Sequence, residues 1–136
     1  MKSFVLGLHT VMVPLILAVA GITLIIGIVL IFMTRRQAAA PDLETGTIAT
    51  WRRIFRILLS VTTGFGVLQV IFGLLLFASG DRPAEGLHLV YGAIVLGAIP
   101  VAYVYSDQKQ VRRDIIIMTI AVVLVIGAAV RALATG

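Results

Sequence analysis

Four long apolar stretches constrain the fold of this chain more than any other feature of its sequence. They cover residues 4–33, 54–78, 86–105 and 115–133. A helix needs about 20 apolar residues to cross the hydrocarbon core of a bilayer, and each stretch is close to that length or longer. None of them alternates apolar with polar residues, as half-buried strands do, so all four are predicted to be helices.

Composition supports a membrane protein and excludes two other classes. Of the 136 residues, 60% are apolar and 12% are charged, whereas an ordinary soluble domain has about 25% charged residues. Too few polar residues remain to cover a water-facing surface, and disorder needs fewer apolar residues. Cysteine is absent, which excludes disulfides and cysteine nucleophiles. We expect one transmembrane domain over residues 1–136.

Short polar connections between the stretches predict an all-α bundle of four transmembrane helices with up-down-up-down topology. Lys2, Arg82 and Arg131 are the only basic residues expected on the side of the termini. The other side carries most of the basic residues, namely Arg35, Arg36, Arg52, Arg53, Arg56, Lys109, Arg112 and Arg113. Basic residues accumulate on the cytoplasmic side, so both termini are predicted to face outward. We expect a multi-pass protein of the bacterial plasma membrane.

Two segments of the chain resemble each other. Residues 7–11, Gly-Leu-His-Thr-Val, match residues 86–90, Gly-Leu-His-Leu-Val. An arginine pair precedes both the second and the fourth apolar stretch. The pattern favours two tandem helical hairpins of the same topology. The alternative is chance similarity, which is common among apolar sequences.

The duplication places the two histidines, His9 and His88, at equivalent positions. Each opens a helix that runs inward, and the first and third helices of such a bundle are diagonal. Neighbouring helices lie about 8–10 Å apart, so the diagonal gap is roughly 11–14 Å. That gap suits a porphyrin with one imidazole on each face of its iron. We predict one haem b, with His9 and His88 as its metal ligands.

Two alternatives to a shared haem stay open. Both histidines could lie in the headgroup region without a metal, or they could bind a different ligand. Depth argues against a shared metal: His9 lies 26 residues before Arg35, but His88 lies only 19 residues before Asp107. The seven-residue difference corresponds to about 10 Å along a helix. A tilt or an inward protrusion of the first helix, or a bend at Pro14, could absorb it.

Several residues near the predicted haem complete the expected site. The second helix carries a stripe of small and polar residues, Thr62, Gly66, Gln69 and Gly73. Gln69 could form an interhelical hydrogen bond or contact a quinone or cofactor edge. We expect cofactor contacts from Gly73, Tyr91 and Gly92, and pairing of the haem propionates with Arg131 and Arg82.

This four-helix pattern with Gly-Leu-His openings resembles small b-type membrane cytochromes, such as the haem-binding half-bundles of haem A synthase-type proteins. The resemblance covers the whole chain, but its specific residues are His9 and His88 alone. It implies haem binding and electron transport. Such families often carry more histidines, so it implies neither a second haem nor haem modification here.

We therefore expect an electron-transfer protein with one haem near the outer leaflet, and not an enzyme. Its partners would be the lipid bilayer and other membrane subunits, or a periplasmic or quinol redox partner, but not nucleic acid. The alternative is a non-catalytic accessory or structural subunit of a respiratory or photosynthetic membrane complex. A small pore or carrier is disfavoured by the shortage of polar lining. A proton-coupled antiporter is disfavoured because carboxylates are expected only at the ends of the spans.

Overall fold

A computed structural model describes residues 2–37, 46–80, 85–106 and 109–135 of the chain. Four helices account for nearly all of them: α1 is Lys2–Gln37, α2 is Gly46–Ala78, α3 is Leu87–Tyr105 and α4 is Val111–Thr135. These ranges contain no strand. All four helices are long and apolar enough to cross a membrane. The predicted all-α, four-helix fold is confirmed, and the chain is a multi-pass membrane protein.

Three of the helices extend beyond the apolar stretches that predict them. The first apolar stretch ends at residue 33 and the second begins at residue 54, whereas α1 continues to Gln37 and α2 already begins at Gly46. α4 likewise begins at Val111, four residues before its apolar stretch. Helical backbone satisfies its own hydrogen bonds, so a helix can continue into the headgroup region and water. Hydropathy marks the hydrocarbon part of a helix and not its ends.

The helices form a four-membered ring. α1 packs against α2 and α4, and α3 packs against the same two helices, so α1 and α3 lie diagonally opposite each other. Cross-helix contacts define two ends of the bundle. His9 and His88 meet at one, which we call the histidine end. Arg56 and Asp114 meet at the other, which we call the arginine end.

The core is apolar and closely packed where helices cross. Its largest fully buried side chains include Phe55, Ile99 and Met118, each at most 2% exposed. An added Cβ at Gly27 would lie 2.5 Å from Thr119 Oγ1 and 3.0 Å from Phe55 Cε2. This glycine lets α1, α2 and α4 approach one another, which is a common use of small residues in membrane bundles.

Buried hydroxyl groups are satisfied within their own helices. Thr23 donates to Val19 O at 2.7 Å, and Thr62 donates to Leu58 O at 2.8 Å. Such bonds remove the cost of placing a polar group in an apolar interior. The threonines therefore pack as part of the core and, within the described ranges, form no hydrogen bond to another helix.

Two backbone features mark the end of α2 and the approach to α3. Gly80 closes α2 with a φ of +89°, a left-handed conformation that glycine adopts without a steric penalty. The backbone N–H of Glu85 donates to Thr135 O at 3.4 Å, which links the approach to α3 with the last residue of α4.

Candidate functional site

His9 projects from α1 against α2 at the histidine end. Its Nε2 lies 3.3 Å from Nε2 of Gln69. An added Cβ at Gly73 would lie 3.4 Å from Cε1 of His9, so the missing side chain of this glycine makes room for the imidazole. The predicted stripe on α2 therefore faces the interior, and Gln69 forms the expected interhelical contact. Two residues of this stripe, Gln69 and Gly73, lie against the imidazole of His9.

The second histidine, His88, is held by the end of α4. It is the second residue of α3, and its Nδ1 lies 3.1 Å from the carbonyl oxygen of Ala132. The last four carbonyl groups of a helix have no partner within that helix, and Ala132 provides one of them. The imidazole satisfies this carbonyl, and the contact fixes the orientation of its ring. A ring nitrogen bonded to a backbone carbonyl is common among metal-binding histidines.

The two imidazoles meet across the diagonal of the bundle. Their ring centroids are 6.2 Å apart and their planes are inclined by 50°. Metal–nitrogen bonds of about 2.0 Å place two imidazoles on opposite sides of one metal with centroids about 6 Å apart. The observed separation therefore fits a shared metal ion.

The predicted difference in depth between the histidines is absent because the helices differ in length. α1 has 36 residues and α3 has 19. His9 is the eighth residue of α1, whereas His88 is the second residue of α3. The extra turns of α1 extend past α3, so the inner ends of the two helices are not level, and residue counts from those ends do not measure depth.

Each imidazole has one nitrogen in contact with protein and one that could bind a ligand. A carbonyl oxygen only accepts, so Nδ1 of His88 carries the proton and Nε2 carries the lone pair. On His9, Nε2 accepts from the amide nitrogen of Gln69, so Nδ1 of the neutral ring carries the proton, and it is buried without a hydrogen-bond partner. Nδ1 would present a lone pair only after the Gln69 amide turns its Oε1 towards His9 and the proton moves to Nε2. Oε1 of Gln69 is also buried without a partner. Unsatisfied buried polar atoms are rare, and two in one place are consistent with a ligand.

The remaining predicted cofactor contacts differ in their surroundings. Tyr91 is half-buried, and the guanidinium carbon of Arg131 lies 5.8 Å from the centroid of its ring. Arg131 is exposed, as a group that pairs with carboxylates at a membrane surface can be. Gly92 has no heavy atom within 4 Å of an added Cβ, so it borders open space. Arg82, the second predicted propionate partner, lies outside the described residues.

Apart from the two histidines, the described ranges lack larger groups of possible metal ligands. They contain no group of three or more histidine, cysteine or acidic residues that could hold a metal ion. A metal at the histidine end would have two protein ligands, which is the number that a haem iron leaves to the protein.

A buried charge cluster at the arginine end was not predicted. Asp114 is only 2% exposed. Its Oδ2 accepts from Nη2 of Arg56 at 2.6 Å and lies 3.6 Å from Nη2 of Arg52. Arg56 also lies over the ring of Tyr103, with 5.9 Å between its guanidinium carbon and the ring centroid. Asp114 does lie at the end of a span, as expected for a carboxylate. Its burial was not expected, and it arises because α4 begins early enough to place Asp114 inside the bundle.

One sequence signal could have revealed this pair. Arg56 lies within the second apolar stretch, where an unpaired charge would be costly. Asp114 is the acidic residue directly before the fourth stretch. In an antiparallel bundle, the start of the second helix and the start of the fourth lie at the same end.

Comparison with protein-family models, with curated proteins and with solved structures finds no match to this chain.

Proposed function

We propose that this chain is a b-type haem-binding integral membrane protein that transfers electrons, with one haem held between His9 and His88 near the outer leaflet. The observation that carries the proposal is the pair of imidazoles on diagonal helices, 6.2 Å apart between centroids. The unpaired nitrogen of His9 and the open space beside Gly92 support it. The donor chemistry of the histidine end thus supports haem as the ligand.

The two histidines would be the axial ligands. The hydrogen bond from His88 to Ala132 orients the ring and leaves the lone pair on its other nitrogen. For His9, Gly73 leaves space for the ring and the Gln69 amide contacts Nε2. His9 would bind the iron through Nδ1 in the tautomer that carries its proton on Nε2, with Oε1 of Gln69 turned to accept that proton. Each ligand is thus held by a neighbouring helix before any cofactor binds.

The outer rim of the site would recognise the carboxylates of the group. Arg131 is exposed at the histidine end and lies against Tyr91, which limits the positions of its guanidinium. Arginine pairs with carboxylates through two parallel charge-assisted hydrogen bonds. Arg131, together with Arg82, would therefore hold the propionates at the membrane surface.

When bound, haem b would supply reversible exchange of one electron at its iron. The protein binds the group, orients it and keeps water from its faces. The 17 residues from His88 to Tyr105 span about 26 Å of helix, so one site at the histidine end cannot carry electrons across the bilayer alone. The partner would be a quinol, a periplasmic carrier or another membrane subunit on the same side. Within this proposal the chain is a carrier and not an enzyme.

A reduced-minus-oxidised absorbance spectrum of the detergent-purified protein, titrated with haemin, tests the proposal. We expect one haem per chain, with bands typical of two nitrogen ligands. His9→Ala and His88→Ala should each remove these bands, whereas Thr10→Ala should keep them, because Thr10 bonds only to its own helix. Circular dichroism would show that the variants remain helical.

Two outcomes would contradict haem binding. Either the purified protein takes up no haemin, or the bands survive in a His9→Ala, His88→Ala double variant. In the first case, co-purification with other membrane subunits would favour the accessory-subunit alternative. An isolated chain without haem or partners would count against both functions.

A further inference from the structure

A basic groove runs along the outside of α2 at the arginine end. Its volume is about 420 Å³. We call it the α2 arginine groove, and its lining residues are Ala49, Arg52, Arg53, Arg56, Ile57 and Ser60. Residues three and four apart share a face of a helix, so Ala49, Arg53, Ile57 and Ser60 follow one another along its floor.

The groove carries excess positive charge. Three guanidinium groups line it, and the carboxylate of Asp114 faces two of them. Both Arg52 and Arg56 point to the same oxygen of that carboxylate, at 3.6 and 2.6 Å. One negative charge therefore serves two arginines, and Arg53 adds a third positive charge. An anion in the groove would relieve this imbalance.

An unsatisfied donor in the same place indicates where an anion would bind. Nε of Arg52 is buried and has no hydrogen-bond partner. A guanidinium offers five N–H donors in a fixed plane, which match the oxygens of a phosphate. A phosphate would reach Arg52 through the 25% of its side chain that is exposed, together with exposed Arg53, and Nε would become available only when that side chain shifts.

The surroundings of the groove favour a lipid as the source of the phosphate. Trp51, directly before Arg52 in the chain, is 42% exposed, and exposed tryptophan is enriched at the level of lipid headgroups. One turn deeper, Ile57 is 54% exposed and Val61 is 39% exposed, so the groove opens onto an apolar helix face. A ligand with a charged head and an apolar chain would contact both parts.

We propose that the α2 arginine groove binds the headgroup phosphate of an anionic phospholipid. Arg52 and Arg53 donate to the phosphate, Arg56 stays paired with Asp114, and an acyl chain lies along Ile57 and Val61. Basic pockets on the cytoplasmic side of membrane helices are recognised sites for such headgroups. This inference does not depend on haem binding.

Lipid binding can be measured by native mass spectrometry of the delipidated protein in detergent, titrated with phosphatidylglycerol or phosphatidylcholine. We expect preferential binding of phosphatidylglycerol. Arg52→Gln, Arg53→Gln should weaken it about 25-fold, since each arginine contributes roughly fivefold. The single variant Arg53→Gln leaves the pairing of Asp114 intact, so it should fold normally and show the fivefold loss alone.

A second basic groove provides a matched control. It lies at the start of α4 and includes Arg112 and Arg113. The described part of this groove has no buried arginine nitrogen without a partner. Arg112→Gln, Arg113→Gln makes the same change in charge, and we expect it to keep most of the phosphatidylglycerol affinity.

Three results would overturn the proposal. The first is equal binding of the two lipids by the unaltered protein. The second is an equal loss of affinity in the α4 control, which would reveal general attraction to a basic surface. The third is displacement of the lipid by millimolar inorganic phosphate, which would make a soluble anion the ligand.

Discussion

Substitution of Gly27 by alanine should destabilise the bundle through one defined steric conflict. The new Cβ would lie 2.5 Å from Oγ1 and 3.3 Å from Cγ2 of Thr119, and 3.0 Å from Cε2 of Phe55. The first distance is far below a van der Waals contact. Thr119 cannot rotate away freely, because its hydroxyl donates to Ile115 O at 2.7 Å inside α4. Either that bond breaks or α1 moves away from α4.

The size of the effect follows from two opposing contributions. Adding a methyl group to a well-packed core costs about 1–3 kcal/mol. Replacing glycine by alanine within a helix regains up to about 1 kcal/mol. With the full gain, the net loss is about 0–2 kcal/mol in the free energy of unfolding, and the 2.5 Å approach to Thr119 places Gly27→Ala in the upper half of that range.

Reversible unfolding of the detergent-solubilised protein by sodium dodecyl sulfate, followed by the fluorescence of Trp51, measures this loss. Gly21→Ala is the control on the same helix, because an added Cβ there meets nothing within 4 Å. Removing the facing side chain with Thr119→Ala should restore most of the stability that Gly27→Ala loses. The expected coupling between these two substitutions is about 1 kcal/mol or more.

A steric conflict at this crossing would be disproved if Gly27→Ala were as stable as Gly21→Ala. It would also be disproved if the effects of Gly27→Ala and Thr119→Ala were simply additive, because the conflict would then lie elsewhere.

Four further predictions concern other contacts of the bundle. Gly66→Ala should destabilise it by about 1 kcal/mol in the same unfolding assay, because a Cβ would lie 3.3 Å from a backbone carbonyl oxygen of α3 that cannot rotate away. Asp114→Asn should cost about 2 kcal/mol, since two arginines lose their buried counter-charge. Gln69→Leu should weaken haemin affinity about 10–100-fold without removing the two-nitrogen spectrum. In intact cells, an impermeant maleimide should label Ser79→Cys but not Gln110→Cys, because the first lies on the predicted outer side.

Each of these expectations has an outcome that contradicts it. An unchanged unfolding free energy in Gly66→Ala or Asp114→Asn would show that the contact is not tight or not strong. Unaltered haemin affinity in Gln69→Leu would remove the amide from the site. Labelling of Gln110→Cys alone would reverse the orientation, and the absence of native cysteine makes that result unambiguous.

The fold was predictable because bilayer thickness sets a minimum length for an apolar helix. The ends of the helices were not, since hydropathy falls where the hydrocarbon ends whereas the backbone of α2 is already helical at Gly46. The same limitation hid the buried state of Asp114. The α2 stripe that faces inward could be identified because its residues are spaced three and four apart, and both histidines because they occupy equivalent positions in the repeat.

The proximity of the histidines could not be obtained from spacing alone. Residue counts from the inner ends measure depth only if the helices have equal reach, and α1 is nearly twice as long as α3. The contact between His88 and the carbonyl of Ala132 likewise depends on where α4 ends. How far one helix is shifted along another depends on how the helices pack, and no local sequence pattern predicts that shift.

The length of α1 also has a consequence for the surrounding lipid. Exposed phenylalanines stand near both of its ends, with Phe4 69% and Phe32 60% exposed. The 28 residues between them rise about 42 Å along the helix axis, against a hydrocarbon thickness of about 30 Å. Inclination of the helix and local thickening of the bilayer beside it both relieve such a mismatch. Long-chain lipids should therefore collect around this helix, and thin bilayers should destabilise the protein from its α1 side.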